Sequence, residues 1–99
     1  MAASFDSLGK IWKVAAADAG STVIDKQDLR VSSIRWVVDS GGAAGDLATI
    51  TDPDGSTVLW HDTNDTGAQL SHVDNAKRRW PRGFVVPTLS KGVLYIALE

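Results

Sequence analysis

Cysteine is absent, which excludes a disulfide framework, a thiol nucleophile and any cysteine-ligated zinc or iron–sulfur centre. Long apolar runs are missing too: none approaches the ~20 residues a helix needs to cross a bilayer. The opening Met1-Ala2-Ala3-Ser4-Phe5-Asp6 has neither the charged stretch nor the apolar core of a secretory signal peptide, so synthesis and use in a cytosol are expected. Helical signal is scarce. The one alanine-rich stretch, Val14 to Gly20, is short and runs into Ser21-Thr22. It carries no stripe of large side chains at i, i+3, i+4 and i+7.

What is present fits one small domain. The 99 residues are 43% apolar and 22% charged, with a formal net charge of -2. A chain this long buries only about two thirds of its unfolded surface, so its core is thin. Short β-rich runs recur between turn residues. Lys10 to Ala17 alternates around Ile11, Trp12 and Val14, and Thr22-Val23-Ile24 is a β-branched run. In Arg30 to Asp39 alternation places Ile34, Trp36 and Val38 on one face and Ser33, Arg35, Val37 and Asp39 on the other. Ser40 to Gly45 is a glycine–alanine loop. Asp46 to Thr51 and Ser56 to His61 flank Asp52-Pro53-Asp54-Gly55, a hairpin turn in which Pro53 presets φ and Gly55 takes the left-handed conformation. Asp62 to Gly67 reads as a polar loop, Ala68 to Val73 as a weak strand, and Asp74 to Arg79 as a loop or one helical turn. Gly83 to Leu89 and Val93 to Leu98 read as a second hairpin closed by Ser90-Lys91-Gly92.

These runs predict an all-β fold, a small antiparallel β-sandwich or jelly-roll-like barrel of seven to eight short strands in a single domain over 1–99. Residues 1–30 are read as an N-terminal arm or edge region. The last strand, Val93 to Leu98, is almost continuously apolar, which marks it as central or covered on both faces; at an edge it would pair with another chain.

No catalytic, cofactor or metal site can be read from the chain, and no enzyme activity is expected. His61 and His72 each have an aspartate nearby, Asp62 and Asp74, but their spacing matches no zinc pattern and implies no third ligand. No serine sits in Gly-x-Ser-x-Gly. Asp52 to Ser56 resembles a calcium loop only at its start: Gly55 falls at the fourth position instead of the sixth, and Thr63 stands where a bidentate Glu belongs. The glycines of Gly41 to Gly45 are followed by neither a Lys-Ser/Thr pair nor a helix start.

Two features remain. Lys77-Arg78-Arg79-Trp80-Pro81-Arg82 places four basic side chains around an indole, a composition suited to an acidic protein surface or single-stranded nucleic acid. The net acidic chain disfavours nucleic acid. The second feature is the four tryptophans in so short a chain. Trp36 and Trp60 are in phase with Ile34, Val38 and Val58 and are assigned to the core. Trp12 and Trp80 are expected to cover its ends or contact a partner, because Trp is enriched where protein surfaces lock together. The partner-contact candidates are thus Trp12, Lys77, Arg78, Arg79, Trp80 and Arg82.

The ordered set Ile34-Arg35-Trp36-Val37-Val38, a Gly/Ala loop, Gly45-Asp46-Leu47-Ala48-Thr49-Ile50-Thr51-Asp52-Pro53-Asp54-Gly55-Ser56-Thr57-Val58-Leu59-Trp60, Lys77-Arg78-Arg79-Trp80 and Gly92-Val93-Leu94-Tyr95-Ile96-Ala97-Leu98 resembles small virion structural proteins of tailed bacteriophages. That group includes head-decoration or cement proteins, and the resemblance spans roughly residues 31–98. It implies a non-enzymatic role in the virion, assembled in the host cytoplasm, with repeated copies touching the major capsid protein or neighbouring virion proteins. A homo-oligomer such as a trimer would cover edge strands and exposed indoles together; neither membrane nor nucleic acid is an expected partner. The alternative is a tail, neck or baseplate component, or a carbohydrate-recognising receptor-binding module in which Trp12 or Trp80 stacks on sugar rings. A small hydrolase or metal enzyme using His61 and His72 is the third reading.

Overall fold

The nine strands found among the described residues fall into two antiparallel sheets, packed face to face in a computed structural model that describes residues 3–20, 23–38, 46–64, 71–75 and 77–99. In chain order they are β1 (Ser4–Asp6), β2 (Ile11–Ala15), β3 (Leu29–Val37), β4 (Asp46–Thr51), β5 (Val58–Asn64), β6 (Ser71–Asp74), β7 (Arg78–Trp80), β8 (Val85–Leu89) and β9 (Val93–Leu98). The fold is an all-β sandwich, one strand richer than expected at the upper count. Two strands that lie outside the expected runs, β1 and β7, are three residues each, too short for alternation to show in sequence.

The larger sheet runs β1-β2-β9-β3-β6, and β7 pairs with the N-terminal half of β3, end to end with β6. Asp74 to Arg79, expected as a loop or one helical turn, begins with the last residue of β6 and ends with the first two of β7. The smaller sheet runs β5-β4-β8. Between them lie Val14, Val31, Ile34, Trp36, Leu94 and Ile96 from the larger sheet and Ala48, Ile50, Trp60, Val86 and Leu89 from the smaller. Burying an aliphatic side chain of this kind contributes roughly 1.5–3 kcal/mol.

Alternation holds in β3 and the residue after it: Ile34, Trp36 and Val38 are fully buried and Arg35 is exposed. It fails in β5. The register shifts between Ile50–Trp60 and Thr51–Val58, so Leu59 is an extra residue in a bulge. Trp60 still points inward, whereas Val58, expected on the same face, is 62% exposed. The β4–β5 turn forms as expected: the Gly55 amide donates to the Asp52 carbonyl at 2.9 Å, and Gly55 has φ 78°.

The second expected hairpin does not exist. β8 belongs to the smaller sheet and β9 to the larger, so Ser90-Lys91-Gly92 carries the chain across the sandwich. The crossing is held from both sides. The Ser90 amide donates to the Leu47 carbonyl at 3.0 Å, and the Trp36 indole N–H donates to the Lys91 carbonyl at 2.8 Å. Gly92 has φ 81°, and a Cβ there would lie 2.0 Å from the Val37 carbonyl oxygen, so only glycine passes. β9 is central, between β2 and β3, as its apolar run implied.

The N-terminal third, read as an arm or edge region, holds an edge strand and an inner one: β2 lies between β1 and β9, and Val14 on it is fully buried. β1 is the outermost strand of the larger sheet. Within the expected run Thr22-Val23-Ile24, Thr22 lies outside the described residues. The chain beside it borders β8 without becoming a strand: the Gly20 amide donates to the Val86 carbonyl, and Asp25 bridges to Phe84. Pro87, without an N–H, sits on this edge strand where no ladder donor is required. Ser40 to Gly45 and Asp65 to Leu70 also lie outside the described residues.

Candidate partner-contact surfaces

The basic segment is locally neutralised. Strand β7 lays Arg78 and Arg79 beside β3, and the turn after it brings Arg82 to the β4–β5 hairpin. Arg78 reaches Asp74 at 2.7 Å, and Lys77 faces Glu99 at 3.4 Å. Arg79 forms a two-pronged pair with Asp28, Nε at 3.0 Å and an Nη at 2.6 Å. That pair lowers the Asp28 carboxyl below its ordinary range and raises the Arg79 guanidinium, the hydrogen bond being the leading cause in both. Arg82 donates to Asp52 at 2.6 Å and to Asp54 at 3.2 Å.

Asp52 is the buried member of this network. Its carboxylate also accepts from the Ser56 amide at 3.0 Å, the Ser56 hydroxyl at 3.1 Å and the Thr57 amide at 3.3 Å. Beside it, the Ser56 hydroxyl and amide hold the Asp54 carboxyl well below the usual carboxylate range. The hairpin's acids are thus turn-formers with their oxygens turned to N–H and O–H donors, consistent with the turn reading over the calcium one. Among the described residues no group of three or more His, Cys, Asp or Glu is placed to hold a metal ion.

Trp80 is not a surface ring. It is 2% exposed, stands opposite Leu29 in the β3–β7 ladder and packs against Phe84 with ring centroids 5.3 Å apart. Strand alternation explains the inversion: with Arg79 turned to solvent, its neighbour must face the core. Trp12 is half-buried at one end of the sandwich. Phe5 lies 5.2 Å away, Phe84 meets the indole edge-on at 6.1 Å, and the indole N–H donates to Asp25 at 3.2 Å. Phe5, Trp12, Phe84 and Trp80 form one aromatic chain closing that end. Of the six partner-contact candidates, Lys77, Arg79 and Arg82 stay mainly in solvent, Arg78 and Trp12 are partly covered, and Trp80 is withdrawn.

The two histidines are on different faces. His61 lies on the outer side of the smaller sheet, its Nδ1 2.9 Å from the Thr49 hydroxyl. His72 lies inside, stacked on Trp36 at 4.9 Å, with Nδ1 3.0 Å from Asp62 across the two sheets. Asp74 turns to Arg78. The His61, His72, Asp62, Asp74 set therefore divides into separate contacts. Nε2 of His72 is buried with no hydrogen-bond partner among the described residues.

A surface that the sequence reading did not single out is the outer face of the larger sheet. Register aligns Ser4, Lys13, Tyr95, Arg35 and Val73 in one row across β1, β2, β9, β3 and β6. Ile11, Ala97 and Ser33 flank it on one side, and Val93 and Val37 on the other. Val73 is 57% exposed. A shallow depression of about 430 Å³ is lined by Ile11, Ser33, Arg35, Val37, Tyr95 and Ala97. A second of about 210 Å³ adjoins it, lined by Ser4, Asp6, Ile11, Lys13 and Tyr95. The alternation in Arg30 to Asp39 did place Ser33, Arg35 and Val37 together. Joining them to Lys13 and Tyr95 required the β2–β9–β3 register.

No protein-family model matches the chain, and neither a curated protein nor a solved structure does. No helix among the described residues is long and apolar enough to cross a membrane.

Proposed function

We propose that this protein is a non-enzymatic structural protein of a tailed-bacteriophage virion, decorating or stabilising the capsid through protein–protein contacts with the major capsid protein or neighbouring virion proteins. The observation that carries the binding role is the outer face of the larger sheet, where Ile11, Val37, Val73 and Tyr95 form a solvent-facing apolar surface studded with Lys13 and Arg35. One face of an antiparallel sheet can stay wet, but such faces are ordinarily polar. The virion assignment is supported by the ordered motifs from Ile34 to Leu98, whose described parts lie on β3, β4, β5, β7 and β9. Many copies of a small domain holding a symmetric shell gain avidity without strong individual sites, and a homo-oligomer such as a trimer suits that role.

A sugar-binding role through Trp12 or Trp80 draws no support from the geometry. Trp80 is buried, and Trp12 is engaged by Phe5 and Phe84.

The test is direct. Purified particles should contain the protein in many copies, and shells lacking it should bind the isolated protein in fixed stoichiometry. Particles without it, or shells that fail to take it up, would end this reading.

A further inference from the structure

The Lys13–Tyr95–Arg35 row says more than that the face is available. Among the described residues no carboxylate forms an ion pair with Lys13 or Arg35, whereas Lys77, Arg78, Arg79 and Arg82 each face one. Among the described residues the one acid bordering the depressions is Asp6 on β1, where its carboxylate accepts the Leu8 and Gly9 amides. Lys13 and Arg35 occupy positions directly opposite Tyr95 on its two neighbouring strands. Two exposed cations thus flank a phenol and a depression lined by Ile11, Val37 and Ala97, in a chain whose net charge is negative.

We propose that this face docks an extended acidic segment of a protein partner. The inference rests on the binding role proposed above and names the surface and the chemistry of its occupant. Neighbouring strands are about 4.8 Å apart, so the backbones of Lys13 and Arg35 stand ~10 Å apart. In an extended chain, side chains facing one way recur every ~6.6 Å, and two acids four residues apart span ~13 Å with one apolar side chain between them. The flexible stems of Lys and Arg cover the difference. The apolar side chain sits on Tyr95 and in the depression, and the two carboxylates meet Lys13 and Arg35. Asp6 repels acids at the β1 end, which sets the segment across β2, β9 and β3.

The probe is the peptide Ser-Glu-Ser-Val-Ser-Glu-Ser, with a counterpart carrying Lys in place of Glu, titrated into the protein and followed by amide shifts in NMR. The acidic peptide should move the signals of Ile11, Lys13, Arg35, Val37 and Tyr95 and bind at least tenfold more weakly to the Lys13→Glu, Arg35→Glu double variant. Its affinity should fall as salt rises. Equal binding of the Lys peptide, or shifts centred elsewhere, overturns the proposal. So does tighter binding of a single-stranded DNA 12-mer to the same residues, or a wild-type dimer that the double variant abolishes; these assign the face to nucleic acid or to a second copy. Should charge reversal unfold the chain, Lys13→Gln, Arg35→Gln replaces it.

Shell binding separates the two readings. Shells that bind wild type and double variant equally overturn the docking face and leave the virion role intact. Shells that bind neither, with the acidic peptide still seated on the row, end the virion role and sustain the docking face.

Discussion

The basic segment at Lys77 to Arg82 and the outer face of the larger sheet both carry cations, and they use them oppositely. In the first, four cations adjacent in sequence are each met by an acid, three of them from outside the segment's own neighbourhood: Asp28, Glu99 and the Asp52–Asp54 hairpin. In the second, two cations 22 positions apart in sequence flank one tyrosine and have no acidic partner among the described residues. A run of charge in sequence is thus a poor guide to charge at the surface. Net local charge is set by what the fold brings alongside, and here it neutralises the conspicuous cluster and leaves the inconspicuous pair available.

Substitutions in the two regions should separate them, most strongly at the buried indole of the basic segment. Trp80→Ala should cost about 3–5 kcal/mol in urea unfolding, the loss that follows truncation of a core indole; a cost below ~0.5 kcal/mol would return Trp80 to the surface. Arg82→Ala should cost about 1–2 kcal/mol, because the buried Asp52 carboxylate loses its guanidinium partner while keeping the Ser56 and Thr57 donors. Arg82→Lys should recover only part of that, since one ammonium cannot reach Asp52 and Asp54 as the guanidinium fork does. Smaller still are Arg79→Ala and Arg35→Ala, which should leave the urea unfolding midpoint close to that of the wild type, one a solvent-exposed ion pair and the other unpaired. Their difference should lie in binding: Arg35→Ala weakens attachment of the acidic peptide, and Arg79→Ala leaves it unchanged.

The smallest effect is on the acid limb of stability. Asp28 and Asp54 titrate below the ordinary value of 3.8, so their stabilisation is complete above that pH and is lost as pH falls through their folded values. The unfolding midpoint should therefore decline below about pH 4, and the double variant Asp28→Asn, Asp54→Asn should show a shallower decline. An identical acid limb in the variant would remove these two carboxyls from the acid response.

Much of the fold was legible because β-strands write their faces into the chain with period two. Ile34, Trp36 and Val38 against Arg35 and Val37 is such a record, and the turn at Asp52 to Gly55 is another. The record fails where a bulge adds a residue, as at Leu59, and where a strand is three residues long, as with β1 and β7. It fails differently at Ser90-Lys91-Gly92. A glycine-containing turn between two apolar strands looks the same whether the strands pair or part, and the outcome rests on the Leu47, Trp36 and Val37 contacts, which come from distant positions.

Local features were already written along the chain: the lack of cysteine, the all-β class, the core side of β3, the inner place of β9 and the left-handed glycine of the first hairpin. Each depends on neighbours a few positions apart, where sterics and alternation act. Tertiary structure alone decided the long-range ones. It sent β8 and β9 to different sheets, drew Trp80 into the core, gave the four cations of Lys77 to Arg82 their acids, and aligned Lys13, Tyr95 and Arg35 in one row. Those outcomes hang on strand register, and register is settled by packing both sheets over one core at once.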